Sequence, residues 1–186
     1  MTMATTTIPV DRLRDVSILR GLSDAEIQAL LTGSDRKEFA AGAPIFNEGD
    51  EVTGLYLIET GKVVVRKKVP GGGDKDLATL DAKHVFGEMG LLVGGRARTA
   101  SVLAQDATVV WHLPRPRFAQ LIEQGGAAVA KVTLNMARIL AYRLDALNKE
   151  LVRFVESTGG ATGKKVTKKT ADLAAFKEKL DNEWSF

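Results

Sequence analysis

The sequence predicts an α+β fold, namely a jelly-roll-like antiparallel β-roll of eight short strands flanked by N-terminal helices and one long C-terminal helix. Three observations predict it. Apolar residues recur at helical spacing within residues 11–32. From residue 37 to 113 the pattern changes to short apolar runs separated by Gly, Pro, Asn and Asp, which is typical of hairpins. After Pro114 the helical spacing returns and continues to about residue 155.

The size and composition of the chain limit the classes of function that it can have. The chain has 186 residues and is 45% hydrophobic, enough for one buried domain with appendages. Its net charge of +3 is too small to predict a nucleic-acid surface without local clustering, and only the C-terminal tail is clustered. The absence of cysteine excludes disulfides, a thiolate nucleophile and a cysteine-based zinc site, which suits a reducing compartment.

The first ten residues carry no targeting signal. They are polar and Thr-rich, without the basic start and apolar run of a secretory signal. No segment approaches the roughly 18 apolar residues of a membrane span. We therefore expect a soluble, cytoplasmic protein.

An N-terminal helical segment is predicted over residues 11–33. Ser23 followed by Glu26 is a capping-box pattern, which predicts a helix from about Asp24 to Leu31. Gly33 ends it. The apolar stripe before this helix consists of Leu13, Val16 and Leu19.

Residues 34–114 are predicted to form the β-roll. An open sheet of this many short strands would have unpaired edges and would not be stable in a domain of this size. We therefore expect a closed or nearly closed roll. Residues 59–62 have the pattern of a tight hairpin turn in which Gly61 supplies a positive φ, and residues 70–74 that of a flexible hairpin tip. The apolar runs that predict strands are Glu38–Phe39, Pro44–Phe46, Leu55–Ile58, Val63–Val65, Leu77–Leu80, Ala100–Leu103 and Val109–Trp111.

Residues 115–156 are predicted to be helical. A short helix carries Phe118, Leu121 and Ile122, Gly125-Gly126 breaks it, and a long helix runs from about Ala127 to Val155. The long helix has an apolar seam that indicates pairing with a second helix or with the roll. The seam consists of Met136, Leu140, Leu144, Leu147, Leu151 and Phe154.

The last segment, residues 157–186, is predicted to be a basic linker followed by a short amphipathic tail. Ser157–Lys169 is rich in Gly, Thr and Lys. A helix is expected from about Thr170 to Asn182, with apolar residues on one face and Trp184 and Phe186 after it. The tail is a candidate for docking on its own domain, for a swapped dimer arm or for a protein partner.

Two stretches of the roll carry the chemistry, Phe86–Leu92 and Arg98–Val102. The first predicts a one-turn helix whose early amides bind phosphate oxygens. The guanidinium of Arg98 adds a forked, charge-assisted pair to a phosphate. Glu88, beside a phosphate, is explained if it accepts a hydrogen bond from a sugar hydroxyl. The ligand should therefore carry both groups on a compact skeleton.

These stretches resemble the phosphate-binding cassette of the cyclic nucleotide-binding domain family, which includes bacterial catabolite activators, kinase regulatory subunits and nucleotide-gated channels. The resemblance covers about residues 14–155, although Val52 stands where the family usually has a small residue. The cassette reads Phe-Gly-Glu-Met-Gly-Leu-Leu over residues 86–92 and Arg-Thr-Ala-Ser-Val over residues 98–102. The upstream family signature appears as Ile45-Phe46, Gly49-Asp50, Leu55–Ile58 and Gly61.

The resemblance implies a role for each site residue. Glu88 takes the ribose 2′-hydroxyl, Arg98 takes an exocyclic phosphate oxygen, and amides near Gly87, Glu88, Thr99 and Ala100 complete the cradle. The ligand is cAMP, with cGMP left open because Thr99 could donate to a guanine edge. The full set of expected ligand-binding residues is Phe86, Gly87, Glu88, Met89, Gly90, Arg98, Thr99, Ala100, Ile139 and Arg143.

The purine is expected to be capped by the long helix. Aligning Met136-Ala137-Arg138 with the Met-Ala-Arg common in the family places Ile139, Arg143 and Leu144 near the base. Arg143 could stack on the purine through a cation–π contact. Solvation of Arg143 on the helix face, or pairing with Asp145 or Glu150, is an equally weighted alternative.

Other candidate sites are weak. Nothing resembles a nucleophile with its base, a metal cluster or a Walker loop, so we expect neither an enzyme nor a metal site. His84 and His112 lack ligand spacing and are expected to pack, and Trp111 is expected in the core.

We therefore expect a stand-alone cAMP receptor that signals through movement of its C-terminal helix and dimerises through it. Because only residues 157–186 follow that helix, specific DNA binding of the helix-turn-helix kind is not expected. The alternatives are a ligand-independent dimerisation module, in which Arg98 and Glu88 pair with each other, and a truncated transcription-regulator-like protein. A nucleic-acid regulator acting through the basic linker is a further alternative, with weak and nonspecific binding.

Overall fold

The computed structural model describes residues 8–69, 71–94 and 97–159, with side chains through Arg153 apart from Glu150. The predicted tail helix and nearly all of the predicted linker lie outside the described residues. The described residues up to Tyr142 form one compact unit, and those from Arg143 form another.

The α+β fold with an eight-stranded antiparallel β-roll is confirmed for the described part of the chain. Two four-stranded sheets have the strand orders β1-β8-β3-β6 and β2-β7-β4-β5. The strands are β1 (Asp35–Phe39), β2 (Pro44–Phe46), β3 (Gly54–Thr60), β4 (Lys62–Lys68), β5 (Asp74–Asp81), β6 (Val85–Phe86), β7 (Ser101–Ala104) and β8 (Thr108–Pro114). The helices are α1 (Val10–Leu13), a 3₁₀ turn (Ser17–Leu19), α2 (Asp24–Leu31), α3 (Glu88–Leu92), α4 (Arg115–Gln124) and α5 (Ala127–Gly159).

Helix α2 has the bounds that its capping box predicts. The Ser23 hydroxyl accepts a hydrogen bond from the Glu26 amide at 3.3 Å, and the Glu26 carboxylate accepts one from the Ser23 amide at 2.7 Å. Two early amide donors are thereby satisfied, which is why the helix starts at Asp24.

Strand β3 separates two apolar clusters, because its side chains alternate between the two faces of its sheet. Leu55 and Leu57 face the helices, whereas Tyr56 and Ile58 face into the roll. The first cluster, which we call the helical core, joins these leucines to Val85, Trp111 and Leu113 and to buried residues of α1, α2, α4 and α5. The second, the roll interior, consists of Tyr56, Ile58, Val63, Phe86, Val102 and Val110.

The buried carboxylate of Glu59 ties the N-terminal helices to the roll. Trp111, which is fully buried as expected, donates its indole N–H to Glu59 Oε2 at 2.9 Å. Arg12 of α1 donates to Glu59 Oε1 at 3.0 Å. An otherwise costly buried charge is therefore paired and hydrogen-bonded on both oxygens.

The hairpin predicted at residues 59–62 is wrong. Strand β3 pairs with β6 and β8, whereas β4 pairs with β5 and β7, so the turn carries the chain from one sheet to the other. Gly61 does adopt the expected positive φ, at 87°. A β-carbon at Gly61 would also lie 2.5 Å from the Ala107 carbonyl oxygen. The turn signal is local, and it does not show which strands pair.

The long helix α5 begins at Ala127 as predicted but extends beyond Val155 to Gly159. The first three residues of the predicted linker are therefore helical. The Ser, Thr and Gly there weaken a helix without ending it, which is why the sequence pattern predicted an earlier stop. Val132 and Met136 are buried in the helical core, whereas Leu144, Leu147 and Leu151 are exposed. No helix in the described residues is long and apolar enough to cross a membrane.

Substitution of Gly61 by alanine tests the close approach at the sheet-to-sheet turn. Gly61→Ala should lower the free energy of unfolding by about 3 kcal/mol, since strain at positive φ adds to the clash with Ala107. Gly42, at φ 81° with nothing within 4 Å of an added β-carbon, is the matched control. Gly42→Ala should cost only about 1 kcal/mol in urea unfolding. Equal losses in the two variants would contradict the close approach.

Candidate functional site

Gly87 positions the first half of the cassette. It lies between the end of β6 at Phe86 and the start of α3 at Glu88, with φ at 80°. A β-carbon there would lie 2.8 Å from Nη1 of Arg98. Any other residue would therefore be strained in its backbone and would push the guanidinium away.

The backbone of Arg98 is held by the loop between β2 and β3. The Arg98 amide donates to the Asp50 carbonyl at 2.8 Å, and the Gly49 amide donates to the Arg98 carbonyl at 2.9 Å. Strand β7 begins three residues later, at Ser101. The arginine is placed by these two hydrogen bonds and not by a sheet.

The guanidinium of Arg98 is buried, with only 4% of the residue exposed. Its Nη1 donates to the Gly87 carbonyl at 3.1 Å, and its Nη2 donates to the Thr53 hydroxyl at 3.3 Å. Among the described residues, none accepts a hydrogen bond from its buried Nε. The guanidinium thus keeps one buried donor that an anionic oxygen of a ligand would satisfy.

Aromatic rings enclose this charge. The central carbon of the guanidinium lies 4.1 Å from the ring centroid of Phe46 and 5.6 Å from that of Tyr56. Tyr56 in turn stacks on Phe86, with centroids 5.1 Å apart, and on His112 at 4.6 Å. We call Phe46, Tyr56, Phe86 and His112 the aromatic box. Its faces are favourable partners for a desolvated cation.

Burial sets the electrostatics of the site. Desolvation lowers the pKa of Arg98. Tyr56 opposes this decrease through its charge and a hydrogen bond, and Asp50 and Glu88 oppose it through their charges. Glu88 is itself 2% exposed. A carboxylate and a guanidinium are therefore buried near enough to influence each other, and their binding roles stay predictions.

Val52 packs against the middle of α3. It is buried, and its Cγ2 would lie 2.6 Å from a β-carbon at Gly90. The departure from the family pattern at Val52 is accommodated because Gly90 has no side chain. The neighbours of Gly90 point elsewhere, since Met89 is 47% exposed and Leu91 packs against the helical core.

Thr99 has a contact that the cassette pattern did not predict. The Thr99 carbonyl accepts a hydrogen bond from Nζ of Lys67 at 2.7 Å, and Nζ also donates to Glu48. The strand period of two could have indicated this contact, because it places Lys67 on the same face of β4 as Val63 and Val65.

The sequence predicts three residues near the purine, Ile139, Arg143 and Leu144. Ile139 packs against the helical core, on the opposite face of β3 from Tyr56. Arg143 belongs to the second compact unit. Contact of Ile139, Arg143 and Leu144 with a base stays a prediction.

A cavity of about 190 Å³ has none of the four aromatic-box residues in its lining. Its lining mixes both charges, and its arginine, Arg66, already pairs with Asp76 at 2.6 Å. Within the described residues, no cluster of His, Cys, Asp or Glu is arranged to hold a metal ion. The lining residues are Asn47, Glu48, Arg66, Lys68, Asp74, Ser101 and Leu103.

Comparison with known sequences identifies similar proteins. The model of a family described as cyclic nucleotide-binding domain matches residues 36–125. The chain is 35% identical to the cyclic AMP receptor protein of Thermus thermophilus over 134 residues, 72% of this chain and 60% of that protein. It is 34% identical to glutaminase 1 of Bradyrhizobium diazoefficiens over 136 residues, 73% of this chain and 21% of that protein. The chain thus spans less than two thirds of the length of either relative.

Solved structures agree with the fold. The catabolite activator protein of Thermus thermophilus superposes with a TM-score of 0.65 at 33% identity, over 74% of this chain and 62% of that one. The cAMP complex of the regulatory domain of Toxoplasma gondii PKA has a TM-score of 0.58 at 25% identity, over 69% and 48%. A cyclic nucleotide-binding domain from Methylobacillus flagellatus has a TM-score of 0.71 at 22% identity, over 84% and 86%, a likeness in fold alone.

The two histidines differ in their surroundings. His112 is 5% exposed and packs as expected, whereas the side chain of His84 is half exposed and lies 2.7 Å from Asp81, so the packing expected for it is wrong. Burial lowers the pKa of His112, the positive charges of Lys37 and Arg98 lower it further, and Asp35 opposes them. The folded protein therefore binds a proton at His112 less readily than the unfolded chain.

This difference predicts a pH dependence of stability. The unfolded histidine has a pKa of about 6.5. The contribution of neutral His112 to the free energy of unfolding is therefore present above that pH and is lost as the pH falls below it. His112→Phe keeps a ring on Tyr56 and should lose less unfolding free energy than the wild type between pH 7.5 and 5. Urea unfolding of both proteins at the two pH values measures this. Identical pH profiles for His112→Phe and the wild type would contradict the assignment.

Proposed function

This chain contains a cyclic nucleotide-binding domain of the type found in catabolite activators and kinase regulatory subunits, and from that premise we propose that it binds cAMP in the roll interior. The observation that carries the proposal is the buried guanidinium of Arg98, which retains an Nε donor beside the buried carboxylate of Glu88. A cyclic nucleotide supplies an anionic phosphate for the first group and a ribose hydroxyl for the second.

Each cassette residue has a defined part in this proposal. Arg98 binds an exocyclic phosphate oxygen, Glu88 accepts from the ribose 2′-hydroxyl, and the amides near Gly87 and Thr99 bind the remaining phosphate oxygens. The similar proteins from Thermus thermophilus and Toxoplasma gondii are a cyclic AMP receptor protein and a PKA regulatory domain in complex with cAMP, which favours cAMP over cGMP.

Binding would be transmitted through the helical core. Helix α3 contributes Glu88 to the site and Leu91 to the helical core, so a shift of this short helix reaches both. The first part of α5 is fixed to the N-terminal helices, because Asn135 donates to the carbonyls of Ile18 at 3.1 Å and Arg20 at 2.8 Å. A nucleotide that favours one position of α3 would therefore bias the position of α5. We propose this as the signal of a receptor that binds without turnover.

A homodimer through α5 is part of the same proposal. Leu144, Leu147 and Leu151 follow the spacing of a coiled-coil seam, and each is at least 42% exposed. A second copy of the helix would cover this stripe.

Substitution of Arg98 tests the ligand. Arg98→Gln should weaken cAMP binding roughly 10- to 100-fold, about 1.5 to 3 kcal/mol for a lost hydrogen bond to a charged group. Isothermal titration calorimetry measures it. Arg66→Gln, which removes the same charge from the exposed pair with Asp76, should leave the affinity unchanged. Absence of cAMP and cGMP binding to the wild type, with the fold intact by circular dichroism, would favour the ligand-independent dimerisation module.

A charge in the seam tests the dimer. Leu147→Glu should convert the wild-type dimer into a monomer of 20.0 kDa, because a carboxylate cannot be buried unpaired between two helices. Light scattering measures the mass. Ala146→Glu places the same charge on another face of α5 and should stay dimeric. A monomeric wild type, or a dimeric Leu147→Glu, would contradict the interface.

A further inference from the structure

We propose that Lys67 is a positioning residue of this pocket. Its ammonium orients the peptide between Thr99 and Ala100 and thereby sets the affinity for the phosphate common to cAMP and cGMP. This inference rests on the proposed function and adds to it a residue outside the cassette.

The contacts of Lys67 place it at the end of the cassette. Its Nζ donates to the Thr99 carbonyl at 2.7 Å and to Oε1 of Glu48 at 2.9 Å. These are short, charge-assisted hydrogen bonds between β4, the loop after β2 and the segment before β7. One ammonium thus joins three parts of the roll.

Glu48 is itself fixed from two directions. Its amide donates to the Ser101 hydroxyl at 2.9 Å, and its Oε2 accepts from the Lys68 amide at 3.2 Å. The hydrogen bond from Lys67 and then that from Lys68 lower the pKa of Glu48, so the carboxylate is ionised at neutral pH. We call the ammonium and this carboxylate the Lys67–Glu48 clamp. Because Glu48 is held by β4 through its carboxylate and by Ser101 through its amide, the clamp has less freedom than an isolated surface ion pair.

The clamp acts on amide directions through peptide geometry. The carbonyl and the N–H of a trans peptide point to opposite sides, and the described residues contain no cis bond. Holding the Thr99 carbonyl therefore sets the direction of the Ala100 N–H. The hydrogen bond from Gly49 to the Arg98 carbonyl sets the Thr99 N–H in the same way. Both amides that follow Arg98 are thus oriented before a ligand arrives.

The role predicts an effect on the phosphate and not on the base. A misdirected amide weakens phosphate binding whichever purine is attached. Loss of the ammonium also removes one positive charge near the phosphate site, which acts equally on both nucleotides. The two affinities should therefore fall by the same factor.

Calorimetric titration of three variants with cAMP and cGMP tests the proposal. Lys67→Met should weaken both nucleotides about tenfold with an unchanged ratio, as expected for loss of a charged donor. Lys67→Arg retains a cation that can reach Thr99 and Glu48 and should recover most of the affinity. Lys62→Met is the matched control, because Lys62 lies at the other end of β4. The hydrogen bond from its backbone amide to Asp106 does not involve the side chain and survives the substitution.

Several outcomes would overturn the role. Unchanged affinity in Lys67→Met would remove Lys67 from the site, and unequal losses for cAMP and cGMP would make it a base contact. A loss equalled by Lys62→Met, or matched by a lower melting temperature of the ligand-free variant, would show a general effect of charge or stability. Failure of the wild type to bind either nucleotide would overturn the proposed function and this role with it.

Discussion

The structure of the site depends on the burial of one charge, the guanidinium of Arg98. A buried cation is tolerated only if hydrogen bonds and polarisable neighbours replace its water. The Gly87 carbonyl, the Thr53 hydroxyl and the ring of Phe46 do so here. The requirement extends to the backbone, since the guanidinium leaves no room for a β-carbon at Gly87. A glycine in the left-handed turn between β6 and α3 is therefore required by a single buried side chain.

Strand β3 carries this local arrangement to the rest of the molecule. Its two faces belong to different clusters, so Tyr56 packs in the aromatic box while Leu55 and Leu57 pack in the helical core. Helix α3 has the same double character, with Glu88 buried beside the site and Leu91 against the helices. The coupling that we propose between the site and α5 rests on these shared elements, because packed cores rearrange between discrete states and do not deform continuously.

What the sequence predicted correctly was specified locally. The capping box at Ser23 predicted the bounds of α2, and the glycines and apolar runs predicted most strands, because these signals depend on residues within one turn or one strand. What it missed depends on chain segments that are distant in sequence. The turn at Gly61 joins two sheets, Lys67 reaches Thr99 across 32 positions, and β6 is only two residues long, too short to show a period. Within the site, cassette spacing predicted Arg98 and Glu88, whereas Thr53, Phe46 and Tyr56 required the folded chain.

The enclosure of Arg98 also bears on how a ligand gains affinity. Because folding has already removed water from the guanidinium, a phosphate that binds there does not have to displace that water again, and more of its interaction energy appears as affinity. The hydrogen bond from Arg98 to the Thr53 hydroxyl is long, at 3.3 Å, so it competes only weakly with a phosphate for the guanidinium. Orientation of the amides after Arg98 by Gly49 and the Lys67–Glu48 clamp has the same effect on the other side of the phosphate. Preorganisation by folding, on both sides of a single anion, is thus the physical basis for expecting a small cyclic phosphodiester to bind in this roll.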